Sequence, residues 1–193
     1  NDRIRISYAP RFVVSCTEEL LNAVSLLSKK QNAIIHTHAS ENLKEIKLVK
    51  SMVGHENIEY LDRLGMTSPL LVLAHAIWLK PEEMHILEKS GTNVVHCPSS
   101  NMKLASGFAH VPEMLKRKIN VALGADGAPC NNNLNMFTEM RLAALIHKPA
   151  NGPRAMRAQE VFDMATLNGA RALSWDKDIG SIEVGKKADL VAI

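Results

Sequence analysis

Five short apolar runs, each closing on a polar or titratable residue, alternate with helical patterns, and this alternation constrains the fold more than anything else in the chain. The runs are Arg3 to Tyr8, leading into Ala9-Pro10-Arg11-Phe12, then Ile34–His38, Leu70–His75, Asn93–Pro98 and Val121–Gly127. Short apolar runs bounded by polar residues read as buried parallel strands. Between them, Thr17 caps a helix running to about Lys30, with Glu18 and Glu19 in its first turn, favourable against the helix dipole. Further helices are predicted from about Asn42 to Met52, from Pro81, from Pro112 to Lys118, from Asn132 to His147, and from Ala158 to Leu173.

Strand–helix alternation at this spacing is the pattern of βαβ units and a parallel sheet. The polar strand ends carry Arg11, His38 with Glu41, His75, His96 and Asp126. In a (β/α)8 barrel the carboxyl ends of the strands form the active face. A whole barrel takes roughly 250 residues, and about five of eight strands are counted here, so the fold expected is the later part of a TIM barrel. Residues 1–175 would form that partial barrel, about strands 4–8. Residues 176–193 would begin a return strand to a small β-sandwich, with Lys187–Ile193 the start of that strand.

Within this frame, Ala33-Ile34-Ile35-His36-Thr37-His38-Ala39-Ser40-Glu41 is the densest stretch of chemistry. It places a metal-binding group, His38, and a proton-transfer group, Glu41, in one loop. Each such residue has an ordinary reading as well. A strand-end histidine is often only hydrogen-bonded, an aspartate before glycine forms turns, and Glu41 could cap the next helix. Independent structural roles would not select one face repeatedly, and that favours a functional reading for His38, Glu41, His75 and Asp126. Alternation puts His36 on the face of His38, one layer deeper. His55, His85, His110 and His147 are expected at the surface, and the methionines are expected to fill core.

Composition narrows the class. The 193 residues are 46% hydrophobic and 22% charged, ordinary for a globular protein, and the net charge is +3. Lysines and arginines are scattered, giving no case for a nucleic-acid surface. Three isolated cysteines, Cys16, Cys97 and Cys130, suggest reduced thiols and a cytoplasmic setting. No apolar run approaches the ~18 residues of a membrane span, and no signal peptide is visible.

Four motifs in order, His38-Ala39-Ser40-Glu41, Leu73-Ala74-His75-Ala76, His96-Cys97-Pro98-Ser99-Ser100-Asn101 and Leu123-Gly124-Ala125-Asp126-Gly127-Ala128, resemble the amidohydrolase superfamily, in its purine and triazine aminohydrolase branch. Asn168-Gly169-Ala170 and Gly180 to Leu190 extend the likeness along the chain. The resemblance implies one divalent metal ion, zinc or else iron, with His38 and Asp126 as ligands. It implies Glu41 as proton shuttle, His75 as the group steadying the attacking oxygen, and Asp126 as a second proton carrier. The other two ligands in such enzymes are a His-x-His pair on the first barrel strand, which nothing before residue 33 supplies; the first half of the enzyme is expected to be absent. Two stretches pull the substrate in different directions. Arg11-Phe12 resembles the base-gripping pair of guanine deaminases, whereas Asn131 to Asn135, followed by Glu139 to Ala143, resembles adenosine-type deaminases. Arg11, Phe12, Asn101 and Asn131 are the expected substrate contacts. The expected activity is hydrolytic deamination of a 6-aminopurine nucleoside by a homo-oligomer, with guanine or a chlorotriazine as the alternative. A chain lacking two ligands would otherwise be an inactive fragment that associates with a partner.

Overall fold

Four parallel strands lie side by side in chain order in a computed structural model that describes residues 3–192. They are β1 (Ile35–Ala39), β2 (Leu71–His75), β3 (Asn93–His96) and β4 (Val121–Leu123). Each aligns with the next along its length, so that His38 sits beside Ala74, Val95 beside Ala122 and His96 beside Leu123. The strand ends thus arrive at one edge of the sheet.

Helices connect and cover the strands: α1 (Glu18–Gln31), α2 (Leu43–Val53), α3 (Asn57–Arg63), α4 (Pro81–Ser90), α5 (Pro98–Lys103) and α6 (Val111–Lys116). Beyond β4 come α7 (Ala128–Asn131), α8 (Met136–Ile146), α9 (Lys148–Asn151), α10 (Ala158–Ala165) and α11 (Leu167–Ala172). Local chemistry sets several of these boundaries. Thr17 accepts the Leu20 N–H at the start of α1, and left-handed Asn32 ends it. Asn42 caps α2 by accepting from Lys44 and Glu45, and left-handed Gly54 closes it.

Alternate strand residues go to opposite faces. Ile35, Leu71, Leu73, Val94, Val121 and Leu123 join the main core with Leu21, Ile58, Leu61 and Leu87 from the helices. On the other face Val72, Ala122 and Ala172 form a smaller cluster with Ile34 and Val95. β2 is buried at every position, as befits the near-continuous apolar run of an interior parallel strand.

The strand expected at Arg3–Tyr8 reduces to one parallel bridge, Tyr8 to Ile35, because Ile4 and Ile6 remain exposed and no burial rewards further pairing. No strand forms over residues 187–192, and Ile193, the last residue of that expected strand, lies outside the described residues. The helix expected from Asn132 starts only at Met136, because Asn132 and Leu134 take left-handed backbone and Asn135 provides the cap. The helix expected over 158–173 breaks at Thr166. Among the described residues no helix is long and apolar enough to cross a membrane.

Candidate active site

The backbone carbonyl of Arg11 organises the first corner of the site. It accepts from the His38 N–H at 3.1 Å and the Thr37 hydroxyl at 3.1 Å, and lies 2.9 Å from His38 Nδ1. A carbonyl can only accept, so His38 carries its proton on Nδ1 and leaves the Nε2 lone pair open, the form a metal ligand requires. The His38 ring stacks on Phe12 at 4.6 Å, and the Arg11 guanidinium lies 5.5 Å over the same phenyl ring. Burial, then the neighbouring His75, holds His38 below the usual imidazole range.

Glu41 sits one turn of loop beyond, nearly buried, and takes a hydrogen bond from the Ser106 hydroxyl at 3.3 Å. Its loop is shaped by buried Glu45, which accepts the N–H groups of Ser40 and Glu41 at 3.2 and 2.8 Å. Glu45 also takes the Asn57 amide at 2.9 Å.

His75 closes β2 in left-handed backbone at φ 73°, and Ala76 follows at φ 47°. Such backbone is uncommon outside glycine and asparagine, and it turns the imidazole out of the regular strand alternation. Hydrogen bonds from Ala76 to Ala39 and from Ile77 and Trp78 to Ser40 hold the turn. The buried ring lies 5.4 Å from that of His38, places Nε2 3.9 Å from a Glu41 oxygen, and bonds Asn101 through Nδ1 at 2.8 Å.

Asp126, half-buried at φ 60°, accepts the Ser100 hydroxyl at 2.5 Å and the Gly127 N–H at 2.7 Å. Burial raises its pKa, but those two donors and the adjacent His75 and His38 outweigh it, and the carboxyl stays below its ordinary value. Gly124, leading into this loop, permits close passage: a Cβ there would meet Val95 at 2.6 Å.

The structure therefore brings His38, Glu41, His75 and Asp126 together, with Arg11 and Phe12 at their flank. The two asparagines are committed to the protein. Asn101 engages His75, and the Asn131 amide donates to the Ala125 carbonyl at 2.7 Å and to Glu139 at 2.8 Å. His36 shares the face of His38, one layer down, and is exposed beside Arg5, Ile34 and Trp175. His147, expected at the surface, is buried instead and packs 5.4 Å from fully buried His96 on the far side of the sheet. Nothing in the sequence singles out Ser106 or Glu45, and Ser100 and Glu139 stand in motifs there without a role of their own; the buried-face spacing of Glu139 and Ala143 on α8 with His147 at its C-cap is the signal for Glu139.

As a metal site the donor set is chemically apt but partial. His38 offers an open nitrogen and Asp126 a carboxylate, yet among the described residues no three His, Cys, Asp or Glu groups converge where they could hold an ion.

The amidohydrolase family model matches residues 1–193. The chain is 46% identical over 194 residues to the 5′-deoxyadenosine deaminase of Methanothermobacter thermautotrophicus, covering 100% of this chain and 45% of that protein. It is also 46% identical over 192 residues to the 5-methylthioadenosine/S-adenosylhomocysteine deaminase of Thermoanaerobacter pseudethanolicus, covering 99% and 44%. The zinc-bound crystal structure of an adenosine deaminase from Xanthomonas campestris superposes with a TM-score of 0.93 at 38% identity, over 95% of this chain and 42% of that one. The chain thus spans about 45% of the length of the curated relatives it matches. With a parallel βα sheet, polar strand ends gathered on one edge, and a match along its whole length, the chain belongs to the amidohydrolase family.

Proposed function

We propose that these residues supply the later half of the barrel of a hydrolytic aminohydrolase. Its substrate would be a 6-aminopurine nucleoside of the 5′-deoxyadenosine, methylthioadenosine or S-adenosylhomocysteine type. The observation that carries this reading is the meeting of two buried groups, one from the loop after β1 and one from the end of β2. Glu41 and His75 lie 3.9 Å apart, beside the open nitrogen of His38 and within the electrostatic reach of Asp126. The names of the similar deaminases support the substrate class.

His38 and Asp126 would hold a divalent ion, most simply zinc, whose remaining ligands come from outside these residues; such an ion supplies a water of lowered pKa. The protein's own groups move the protons. As water attacks C6 of the purine, Asp126 accepts one of its protons while Glu41 donates its own to ring N1. His75, beside the reacting carbon, accepts the remaining O–H of the attacking water through its bare Nε2 and so steadies the attacking oxygen. The C6–N bond then breaks as Asp126 passes its proton to the leaving amino group, releasing ammonia. Glu41 recovers a proton from the new C6 hydroxyl, leaving the 6-oxo purine.

Arg11 over Phe12, with Phe12 stacked on His38, gives the guanine reading a specific observation of its own. A guanine site must hydrogen-bond a carbonyl and a 2-amino group, and recognition of that kind discriminates strongly. Parallel assays on the full-length enzyme, following ammonia from guanine, adenosine, 5′-deoxyadenosine and S-adenosylhomocysteine and chloride from a chlorotriazine, separate these readings. The proposal expects the 5′-modified adenosines to lead. Guanine leading would make Arg11-Phe12 the better guide.

A further inference from the structure

The first turn of α5 reaches three neighbours through three successive side chains. Ser99 fastens to Glu139, N–H to one carboxylate oxygen at 3.1 Å and hydroxyl to the other at 2.5 Å. Ser100 donates to Asp126 at 2.5 Å, and Asn101 Oδ1 stands 2.8 Å from His75 Nδ1. Ser100, Asn101, His75 and Glu139 are each at most 1% exposed. Glu139 also holds Asn131, which in turn holds the carbonyl of Ala125, the residue before Asp126. One buried carboxylate thereby ties the turn after β3 to the loop after β4.

An amide oxygen has no proton to give. The proton in the Asn101–His75 bond belongs to the imidazole, and Nε2 is the atom turned to Glu41. Asn101 Nδ2 is buried without a hydrogen-bond partner, so neither end of this amide is presented to solvent. We infer that Asn101 is a positioning residue and not a substrate contact. It fixes the orientation and tautomer of His75, and the Glu139-anchored turn keeps it in register with Ser100 and Asp126. This rests on the proposed function insofar as His75 acts at the reacting carbon. Outer partners of this kind commonly govern how an active-site histidine is presented.

The test uses the full-length enzyme with ring-labelled histidine, its Asn101→Leu and Asn101→Asp variants, and His75→Gln to assign the His75 signals. In the wild type, nitrogen NMR should show His75 with its proton on Nδ1. Asn101→Leu should lose that single tautomer and lower kcat about 10–100-fold, with KM held within about threefold. Asn101→Asp keeps an acceptor and should retain the tautomer and recover turnover to within about tenfold of wild type. An unchanged His75 tautomer in Asn101→Leu, a proton found on Nε2 in the wild type, or a KM increase with kcat unaltered would each overturn the inference. If Asn101→Leu fails to unfold cooperatively, the wild-type tautomer and the Asp variant still decide. Near-normal turnover in His75→Gln would sink the proposed role of His75 instead, and leaves the tautomer measurement standing by itself.

Discussion

The Ser106 hydroxyl donates to Glu41 across 65 residues of chain, at 3.3 Å, in a buried setting. Ser106 is itself tethered, because the Trp78 indole donates to its carbonyl at 2.7 Å. The loop after β2 thus steadies the residue that steadies Glu41. Ser106→Ala removes the donor and little else. Turnover should fall on the order of tenfold, at the level of one lost charge-assisted hydrogen bond of about 1.5 kcal/mol. Steady-state kinetics on the full-length enzyme check this, and a KM change alone would point to a substrate role for Ser106.

Glu41 itself should be far more sensitive. Glu41→Gln preserves shape and removes the proton donor, so kcat should drop roughly 100-fold or more. Metal content and unfolding midpoint should be retained. Near-normal turnover would reduce Glu41 to a loop residue.

Glu45 bears on stability. It satisfies the N–H groups of Ser40 and Glu41 and the Asn57 amide in a buried pocket. Burial raises its pKa, while those donors pull it down without fully offsetting burial. Glu45→Ala strands three buried donors and should cost about 3 kcal/mol, read as a lowered urea midpoint with unchanged slope.

The histidine pair behind the sheet predicts acid sensitivity. Burial, then His147 and His75, pushes His96 down to about 3; burial, then His110, pushes His147 down to about 4. Both folded values lie below the unfolded value of about 6.5. The unfolded chain therefore takes up protons that the folded chain refuses as pH falls. Stability is full above that unfolded value and is lost progressively below it, by about 2 kcal/mol per histidine at about pH 5. Replacing His147 with Leu should shrink the stability difference between neutral and acidic urea titrations by about that amount. An undiminished difference would show that other groups carry the acid response.

Much of this was legible in the chain because the signal was local. His38, His75 and Asp126 each stand at the end of an apolar run, and parallel strands bring such ends to one edge whatever the loops do. α5 was not legible: Ser99, Ser100 and Asn101 favour turns by themselves, and they are helical here with partners as distant as Glu139 and Asp126. Nor could sequence show the left-handed backbone at His75, Ala76 and Asp126, which no glycine announces. His147, followed by Lys148 and Pro149, reads as a solvated helix end, and only the packing against His96 shows otherwise.

Ammonia release from 5′-deoxyadenosine is the most direct test of a single hydrolytic site, measured side by side for the full-length wild type, His38→Ala and Asp126→Asn. Ammonia in equal amount with the 6-oxo product is expected from the wild type. In both variants kcat/KM should be lower by about a thousandfold or more, with His38→Ala also losing bound metal. Either variant within about tenfold of wild type, or a wild type that releases no ammonia from any 6-aminopurine nucleoside, would contradict a single hydrolytic site.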